Sequence, residues 1–286
     1  MAAVRLEWSQ FGDFDSFDVL RSNEPMDANA LPTPIKEGLS SMYYADSAVV
    51  ESATYYYRVV AIRGSERLVS AEIKVVAERD IHWDKVVSLL HFESSVSDEK
   101  GGVWSLFGGA SISTSDKKFG AGSLLVLSAN QYLLGPQMPA LGLGDFCFEM
   151  FVKTSKNTSS ITLFDNRYGG VSDGFSPQLS DGKKLGVYAN GAWLVPAVSI
   201  TLDLSDWVHI AFTRKSGLFR VFVGGLKKAE VTDNINYSAY RTMLGNNVNA
   251  ISSHFLGGNI DEFRITSGEA RYTADFTPPQ KAFLAG

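Results

Sequence analysis

The sequence predicts an all-β protein built from two antiparallel sandwiches. Apolar and polar residues alternate with a period of two in many short segments, Gly accounts for 26 of the 286 residues, and aromatic residues make up 12%. Good helix formers never gather into a long amphipathic run. Short alternating segments that are separated by turn residues are typical of sandwich folds rather than of helical ones.

Residues 1–79 are predicted to form the first and smaller domain. Its alternating segments are LEW at 6–8, FDVLRS at 17–22, YAD at 44–46, TYYYRVVAI at 54–62 and VSAEIKVV at 69–76. These segments resemble those of a fibronectin type III module. The resemblance implies that Tyr55 is a corner tyrosine whose hydroxyl ties a loop to the sheet.

Only three residues precede the strand that starts at Val4, so the usual first strand of such a module has no sequence to form it. We therefore expect an open sheet edge here, with Val4, Leu6 and Trp8 needing cover. The sequence predicts that these three residues bind another subunit of an assembly. The alternative is a short edge strand that is blunted by its own charges, Arg5 and Glu7.

Residues 80–286 are predicted to form one larger sandwich, after a short charged segment at 78–84. About a dozen short strands over 200 residues favour a single jelly roll. One hairpin stands out at Lys184–Val195, because the Asn190-Gly191 pair at its centre tolerates positive φ at both turn positions.

Five segments of this larger domain carry a second resemblance. They are LLHFESS at 89–95, KFGAGSLLVLSANQYL at 118–133, GDFCFEMFVKT at 144–154, DWVHIAFTRKSGLFRVFVGG at 206–225 and GNIDEFRITSGEARYTADFTPP at 258–279. They resemble the concanavalin A-like, laminin-G-like domains that are common in bacteriophage structural proteins. The resemblance implies a lectin-type jelly roll in a virion protein.

Composition excludes several classes of function. The chain has 26 Lys and Arg against 31 Asp and Glu, a net charge of −5, which argues against binding nucleic acid through phosphates. No apolar run is long enough for membrane insertion. Arg5 and Glu7 interrupt the region where a signal peptide needs an apolar core. Cys147 is the single cysteine, so an intrachain disulfide is excluded.

No catalytic residues are predicted. Glycan-cleaving sandwiches use two carboxyl groups about 5–9 Å apart, but the FCFEMFV segment holds one acid, Glu149, and WVHIAFTR holds none. Asp261 and Glu262 are adjacent, so on a regular strand they would point to opposite faces. We therefore expect a protein that is not an enzyme, with a glycan-cleaving enzyme as the less favoured alternative.

Candidate binding residues are exposed aromatic and basic side chains in loops, because such side chains are used to contact sugars or proteins. The ligand-binding candidates are Arg167, Tyr168, Trp193, Tyr237 and Tyr240. The alternative is that each covers the rim of the core.

The resemblance also implies one calcium ion near the first and last strands of the larger domain, with Glu93, Asp98 and Asp261 as its ligands. The alternative is that Asp261 caps turns and pairs with Arg264 or Arg271.

The expected function is that of a non-enzymatic phage virion protein in a tail tip or fibre, bound to host-surface carbohydrate. A capsid decoration protein with the same two modules is the alternative. We expect several copies around one axis, held to other virion subunits through the N-terminal module. Such a chain would be made in the host cytoplasm and located in the virion.

Overall fold

The computed structural model describes residues 3–154, 156, 160–167, 173–180 and 183–286, apart from the side chains of residues 198 and 199. The regular structure of this part of the chain is β-strand, with one 3₁₀ turn at Trp83–Lys85 and no α-helix. Nothing in these ranges forms a helix long and apolar enough to cross a membrane. The all-β prediction is confirmed.

The chain divides into two compact units. The first comprises Met1–Trp83 together with Ala282–Gly286, and the second comprises Asp84–Lys281. The predicted division after residue 79 assigned the whole C-terminus to the second domain. The last residues pack instead with the first unit, where the backbone N–H of Asp80 donates to the carbonyl of Ala285 (3.0 Å).

Seven strands form the first unit: β1 (Val4–Glu7), β2 (Ser16–Ser22), β3 (Lys36–Leu39), β4 (Tyr43–Asp46), β5 (Thr54–Arg63), β6 (Glu66–Val69) and β7 (Ile73–Val76). β1 and β4 pair as a two-stranded sheet, and the second sheet has the order β3-β2-β5-β6 with β7 also on β5. All of these pairings are antiparallel.

The core of the first unit lies between its two sheets and already covers the N-terminal strand. Val4 and Leu6 are buried in one cluster with Val19 and Tyr57, and Trp8 packs against it half-buried. The expectation that these side chains need cover from another chain is therefore wrong. The corner contact predicted for Tyr55 is present, because the Val50 N–H donates to its hydroxyl (2.9 Å).

Sixteen strands belong to the second unit: β8 (Val86–Leu90), β9 (Ser105–Phe107), β10 (Ser111–Ser113), β11 (Ser123–Val126), β12 (Tyr132–Leu134), β13 (Phe146–Thr154), β14 (Ile161–Thr162), β15 (Phe164–Asp165), β16 (Phe175–Ser180), β17 (Lys184–Ala189), β18 (Ala192–Thr201), β19 (Val208–Lys215), β20 (Leu218–Val223), β21 (Leu226–Thr232), β22 (Met243–Leu244) and β23 (Gly258–Ser267). The largest sheet has eight strands in the order β10-β11-β23-β13-β19-β20-β21, with β8 also on β23. Two four-stranded sheets follow the orders β15-β22-β12-β9 and β14-β16-β17-β18.

Period-two alternation explains how the eight-stranded sheet is packed. On its central strand β13, Phe146, Phe148, Met150 and Val152 point into one large apolar core that also takes residues from both four-stranded sheets. Cys147 points to the other face and is buried in a smaller cluster with Ala211 and Phe222. Both faces of this sheet are therefore covered near its centre.

Candidate functional site

The β17–β18 hairpin positions the aromatic residues of the candidate site. Asn190 (φ 46°) and Gly191 (φ 78°) both adopt positive φ, as a tight two-residue hairpin turn requires. The turn pairs Ala189 with Ala192 and therefore sets Tyr188 directly opposite Trp193. The hairpin predicted from the Asn-Gly pair is confirmed.

Three packed side chains form what we call the hairpin platform: Arg167, Tyr188 and Trp193. The Trp193 ring is 43% exposed and meets the Tyr188 ring edge to face, with centroids 5.6 Å apart. The Arg167 guanidinium lies 5.0 Å from the Tyr188 ring centroid. Arg167 is held by Asp165 through Nε–Oδ1 (2.9 Å) and Nη2–Oδ2 (2.6 Å). The ion pair with Asp165 thus fixes Arg167 against the Tyr188 ring, while Trp193 is partly exposed to solvent.

An open pocket adjoins the same hairpin, which we call the hairpin pocket. Its volume is about 470 Å³, within the range of small-molecule sites. Its lining residues are Asp173, Asn190, Leu194, Thr232, Asp233, Asn234, Ile235 and Asn236. Six of these eight residues carry an amide, hydroxyl or carboxylate group, so the pocket suits a ligand that both donates and accepts hydrogen bonds.

Arg214 holds one wall of the hairpin pocket in place. This fully buried side chain lies 4.9 Å from the Tyr237 ring centroid and donates to the carbonyls of Gly142 and Ile235 (2.6 and 2.8 Å). Asp233 accepts from Arg214 Nη1 (3.4 Å) and from the Tyr237 hydroxyl (3.0 Å). These contacts fix the loop that follows β21.

Tyr237 and Tyr240, which the sequence analysis placed among ligand-binding residues, are core residues. They are 1% and 2% exposed, and Tyr240 packs 5.9 Å from the Phe148 ring. Burial raises the pKa of both hydroxyls, and the charge of Asp233 adds to the rise at Tyr237. Tyr168, the aromatic candidate that follows Arg167, lies outside the described residues.

A second polar cluster, the Glu149 cluster, lies on the outer face of the eight-stranded sheet. Glu149 is fully buried, and its Oε1 accepts from Nε and Nη2 of Arg264 (2.9 and 2.8 Å). Its Oε2 accepts from the Tyr272 hydroxyl (2.8 Å) and faces His209 Nε2 (3.1 Å). Arg271 Nε lies 3.5 Å from Oε1.

The Glu149 cluster joins the segment after β23 to the sheet. Tyr272 and Phe276 stack with centroids 3.6 Å apart and pack on Phe222. Burial opposes ionisation of Glu149, but Arg264, His209 and Arg271 outweigh it and hold the pKa of this carboxyl below its ordinary value. Glu149 is thus a buried structural anion, enclosed by its own chain.

The three predicted calcium ligands are not brought together. Asp98 is buried, and its carboxylate accepts from the Ser88 hydroxyl, Trp104 Nε1 and the backbone N–H groups of Leu89 and Lys100 (2.7–3.1 Å). Those four donors occupy both oxygens. Across the described ranges, no three His, Cys, Asp or Glu side chains are grouped closely enough to hold an ion.

Glu93 and Asp261 fit a cation better than Asp98 does. Asp261 accepts from the N–H groups of Lys118 and Phe119 (2.8 and 3.0 Å), and Glu93 accepts from the N–H of Ala121 in the same loop. Burial raises the pKa of Asp261, and the neighbouring charges of Glu262 and Glu93 raise it further. A cation would relieve that repulsion.

Asp261 and Glu262 do not lie on a regular strand, because the β13–β23 pairing shifts register between Glu149 and Phe151 and Glu262 adopts positive φ (53°). Both side chains are fully buried. Asp261 caps the loop at Lys118 and Phe119, as the alternative to a calcium site expected. Arg264 and Arg271, proposed as alternative partners of Asp261, bind Glu149.

Comparisons with known proteins agree with this architecture. A family model described as the concanavalin A-like lectin/glucanases superfamily matches residues 127–271, about half of the 286-residue chain. The chain therefore belongs to this superfamily. No curated protein sequence matches it.

Several solved structures are similar to the chain. Domain 4 of AbnA, a GH43 extracellular arabinanase from Geobacillus stearothermophilus solved with arabinotriose, has 20% identity and a TM-score of 0.51 over 65% of this chain and 94% of its own. A CBM40 of the Ruminococcus gnavus IT-sialidase has 13% identity and a TM-score of 0.38 over 46% and 80%. The Trypanosoma rangeli sialidase has 8% identity and a TM-score of 0.46 over 75% and 40%. At 20% identity, the AbnA domain shows a shared fold alone.

Proposed function

We propose that this chain is a non-catalytic carbohydrate-binding protein whose glycan sits on the hairpin platform and extends into the hairpin pocket. The observation that carries this proposal is the β17–β18 hairpin, which holds the exposed Trp193 and contributes Asn190 and Leu194 to a pocket lined by amides and two carboxylates. An aromatic face packs on the apolar C–H face of a sugar, and the polar groups beside it bind the hydroxyls.

The non-catalytic part of the proposal rests on the acids. Glu149, the single acid of its strand, is enclosed by Arg264, His209 and Tyr272 and does not face solvent. Asp233, the buried acid at the pocket, is bound to Arg214 and Tyr237. Most glycosidases use a pair of acids, one of which gives up a proton to the leaving oxygen. Glu149 and Asp233 are committed to internal partners, and within the described lining this leaves Asp173 as a single acid facing the pocket.

A glycan array with purified protein tests the proposal, using arabinotriose among other neutral oligosaccharides. We expect Trp193→Ala to lower affinity by about tenfold or more, because a central aromatic anchor carries much of the binding energy of such a site. The variant should have the same melting temperature as the wild type, since the Trp193 side chain is about half exposed. Incubation with the bound glycans should release no new reducing ends.

Phe107→Ala is the matched control. Phe107 is 40% exposed, is also aromatic, and lies on β9 in the other four-stranded sheet, stacked 4.9 Å from Tyr132. It should leave glycan affinity unchanged. Equal losses of glycan affinity from both substitutions, or glycan binding that survives Trp193→Ala, would refute a site at the hairpin.

We also propose that this protein works in a bacteriophage virion, in a tail tip or fibre that contacts host-surface glycan. The five segments that resemble domains of phage structural proteins support this setting. The fibronectin type III resemblance of the first unit is supported by the contact between Tyr55 and Val50. Electron microscopy of particles with a labelled copy tests the location, and density on the capsid would favour the decoration alternative.

Attachment through the N-terminal module and several copies around one axis are part of the same proposal. Strand β1 pairs with β4 on one side, and apart from an isolated bridge between Ala3 and Glu78 no second neighbour occurs within the described residues. Such an edge accepts a further strand by backbone pairing. Amide exchange of residues 4–7 should slow in the particle, and equal exchange in free and assembled protein would refute the anchor.

A further inference from the structure

We infer that the hairpin pocket selects uncharged glycans and rejects glycans that carry a carboxylate. This inference rests on the proposed function and names the class of sugar that the site takes. It follows from which charged groups line the pocket and which are already bound elsewhere.

The pocket presents negative charge to its ligand. Asp173 lines it, half-exposed, and one of its oxygens, Oδ2, accepts from the hydroxyl and the backbone N–H of Ser238 (2.5 and 3.2 Å). Asp233 is buried and paired with Arg214, so Asp173 supplies the negative charge of the described lining, which contains neither Lys nor Arg. A sugar carboxylate that entered would meet a like charge in a partly desolvated site.

The arginine behind the pocket wall and the arginine of the hairpin platform are both bound to acids of the chain. Arg214 pairs with Asp233 and donates to backbone carbonyls behind the pocket wall, and it is fully buried. Arg167 forms a two-point pair with Asp165 beneath Tyr188 and is 7% exposed. Two-point binding of a sugar carboxylate by either guanidinium would require breaking a buried ion pair, which is costly.

The remaining polar groups match neutral sugars. Asn190, Asn234 and Asn236 each present an amide that donates and accepts, and Thr232 adds a hydroxyl. Sugar hydroxyls also donate and accept, so they pair with these groups in either direction. The ionised Asp173 accepts only, and therefore favours a ligand with hydroxyl donors.

The test measures affinity for pairs of oligosaccharides that have the same linkage and length, one neutral and one with uronate in place of a neutral sugar. We expect the wild type to bind the neutral member about tenfold or more tightly. Asp173→Asn should shrink that ratio by about threefold or more, mainly through tighter binding of the uronate. Raising salt from about 0.01 to 1 M should also shrink the wild-type ratio, because screening weakens the repulsion.

Asp206→Asn is the control with the same change in charge. Asp206 is exposed and precedes β19 at the end opposite the turn that leads towards Thr232, about 25 Å of strand away. It should leave the ratio unchanged. Equal wild-type affinity for both members, or a ratio that Asp173→Asn does not move, overturns the inference.

Failure of the inference is distinguishable from failure of the proposed function. If uronates bind as well as neutral sugars and Trp193→Ala abolishes both, the hairpin site stands and its selectivity is refuted. If no member of any pair binds, or if binding ignores Trp193→Ala, the proposed site and its selectivity are refuted together.

Discussion

The Glu149 cluster and the hairpin platform are built from the same kinds of side chain, an arginine–carboxylate pair packed among aromatic rings. In the Glu149 cluster the sheet on one side and the segment with Tyr272 and Phe276 on the other enclose the carboxylate, while the Tyr272 and Phe276 rings are half-buried. At the platform, the Arg167–Asp165 pair is equally buried, but the outermost ring, Trp193, is 43% exposed.

This difference shows that composition does not identify a binding site. Both oxygens of Glu149 are used by groups from its own chain, so the cluster contributes to folding and offers a ligand nothing to bind. The platform holds the partly exposed Trp193, and other residues of the same hairpin line a pocket whose amides can bind a ligand.

The largest effect is expected at Glu149. Glu149→Gln removes the charge that Arg264 faces, and removing one partner of a buried ion pair costs about 3–5 kcal/mol of unfolding free energy. Urea unfolding at neutral pH measures this loss. Glycan binding by the folded fraction should stay unchanged, since the cluster is closed to ligand.

Glu230→Gln is the control for Glu149→Gln. Glu230 is also paired with an arginine, Arg220, on the same sheet, but its side chain is 36% exposed and screened by solvent. Its unfolding free energy should be close to that of the wild type. A similar loss of unfolding free energy in both variants would mean that burial does not distinguish the two ion pairs.

Acidification should remove the contribution of Glu149. The folded-state pKa of Glu149 is held below its unfolded value of about 4.3, so its stabilisation is complete above that value and is lost as pH falls through the folded pKa. The difference in unfolding free energy between wild type and Glu149→Gln should therefore narrow from pH 5 towards pH 2. A difference that stays constant over this range would contradict the charge pairing.

The contribution of Asp261 to the unfolding free energy should depend on pH with the opposite sign. Its pKa is raised in the folded state, so its stabilising contribution is present below the unfolded value and is lost as pH rises through the folded pKa. At neutral pH, Asp261→Asn should therefore raise the melting temperature of metal-free protein. This sign is the reverse of that expected for Glu149→Gln.

A calcium ion at Glu93 and Asp261 stays a prediction, with a somewhat smaller expected effect than Glu149→Gln. Calcium at a hundredfold excess over its dissociation constant should stabilise the wild type by about 2.7 kcal/mol. Asp261→Asn should lose this increment, and Asp206→Asn should keep it. Identical melting with calcium and with chelator would exclude the ion.

Local rules explain why the hairpin was predictable. The Asn190-Gly191 turn fixes the register on both sides of it, and Trp193, two residues after the turn, is 43% exposed. The same register identifies Tyr188, which the sequence analysis missed, since a two-residue turn pairs the residue two before it with the residue two after it.

Long-range packing explains the errors. The segment around Tyr237 and Tyr240 is polar, so both rings were expected outside, but Phe146, Phe148 and Arg214 come from distant strands and surround them. The prediction of Asp98 as a calcium ligand was wrong for a related reason. Asp98 is occupied by donors that include Trp104, a contact that no local pattern signals.

Hydrogen–deuterium exchange with and without a saturating neutral oligosaccharide tests the central claim most directly, because it locates the bound glycan on the folded chain. We predict slower exchange at 188–194 and 232–236, with β9 (Ser105–Phe107) and the segment 268–276 unchanged. Protection confined to β9 or to 268–276, with the hairpin unaffected at saturation, would contradict the assignment of the site.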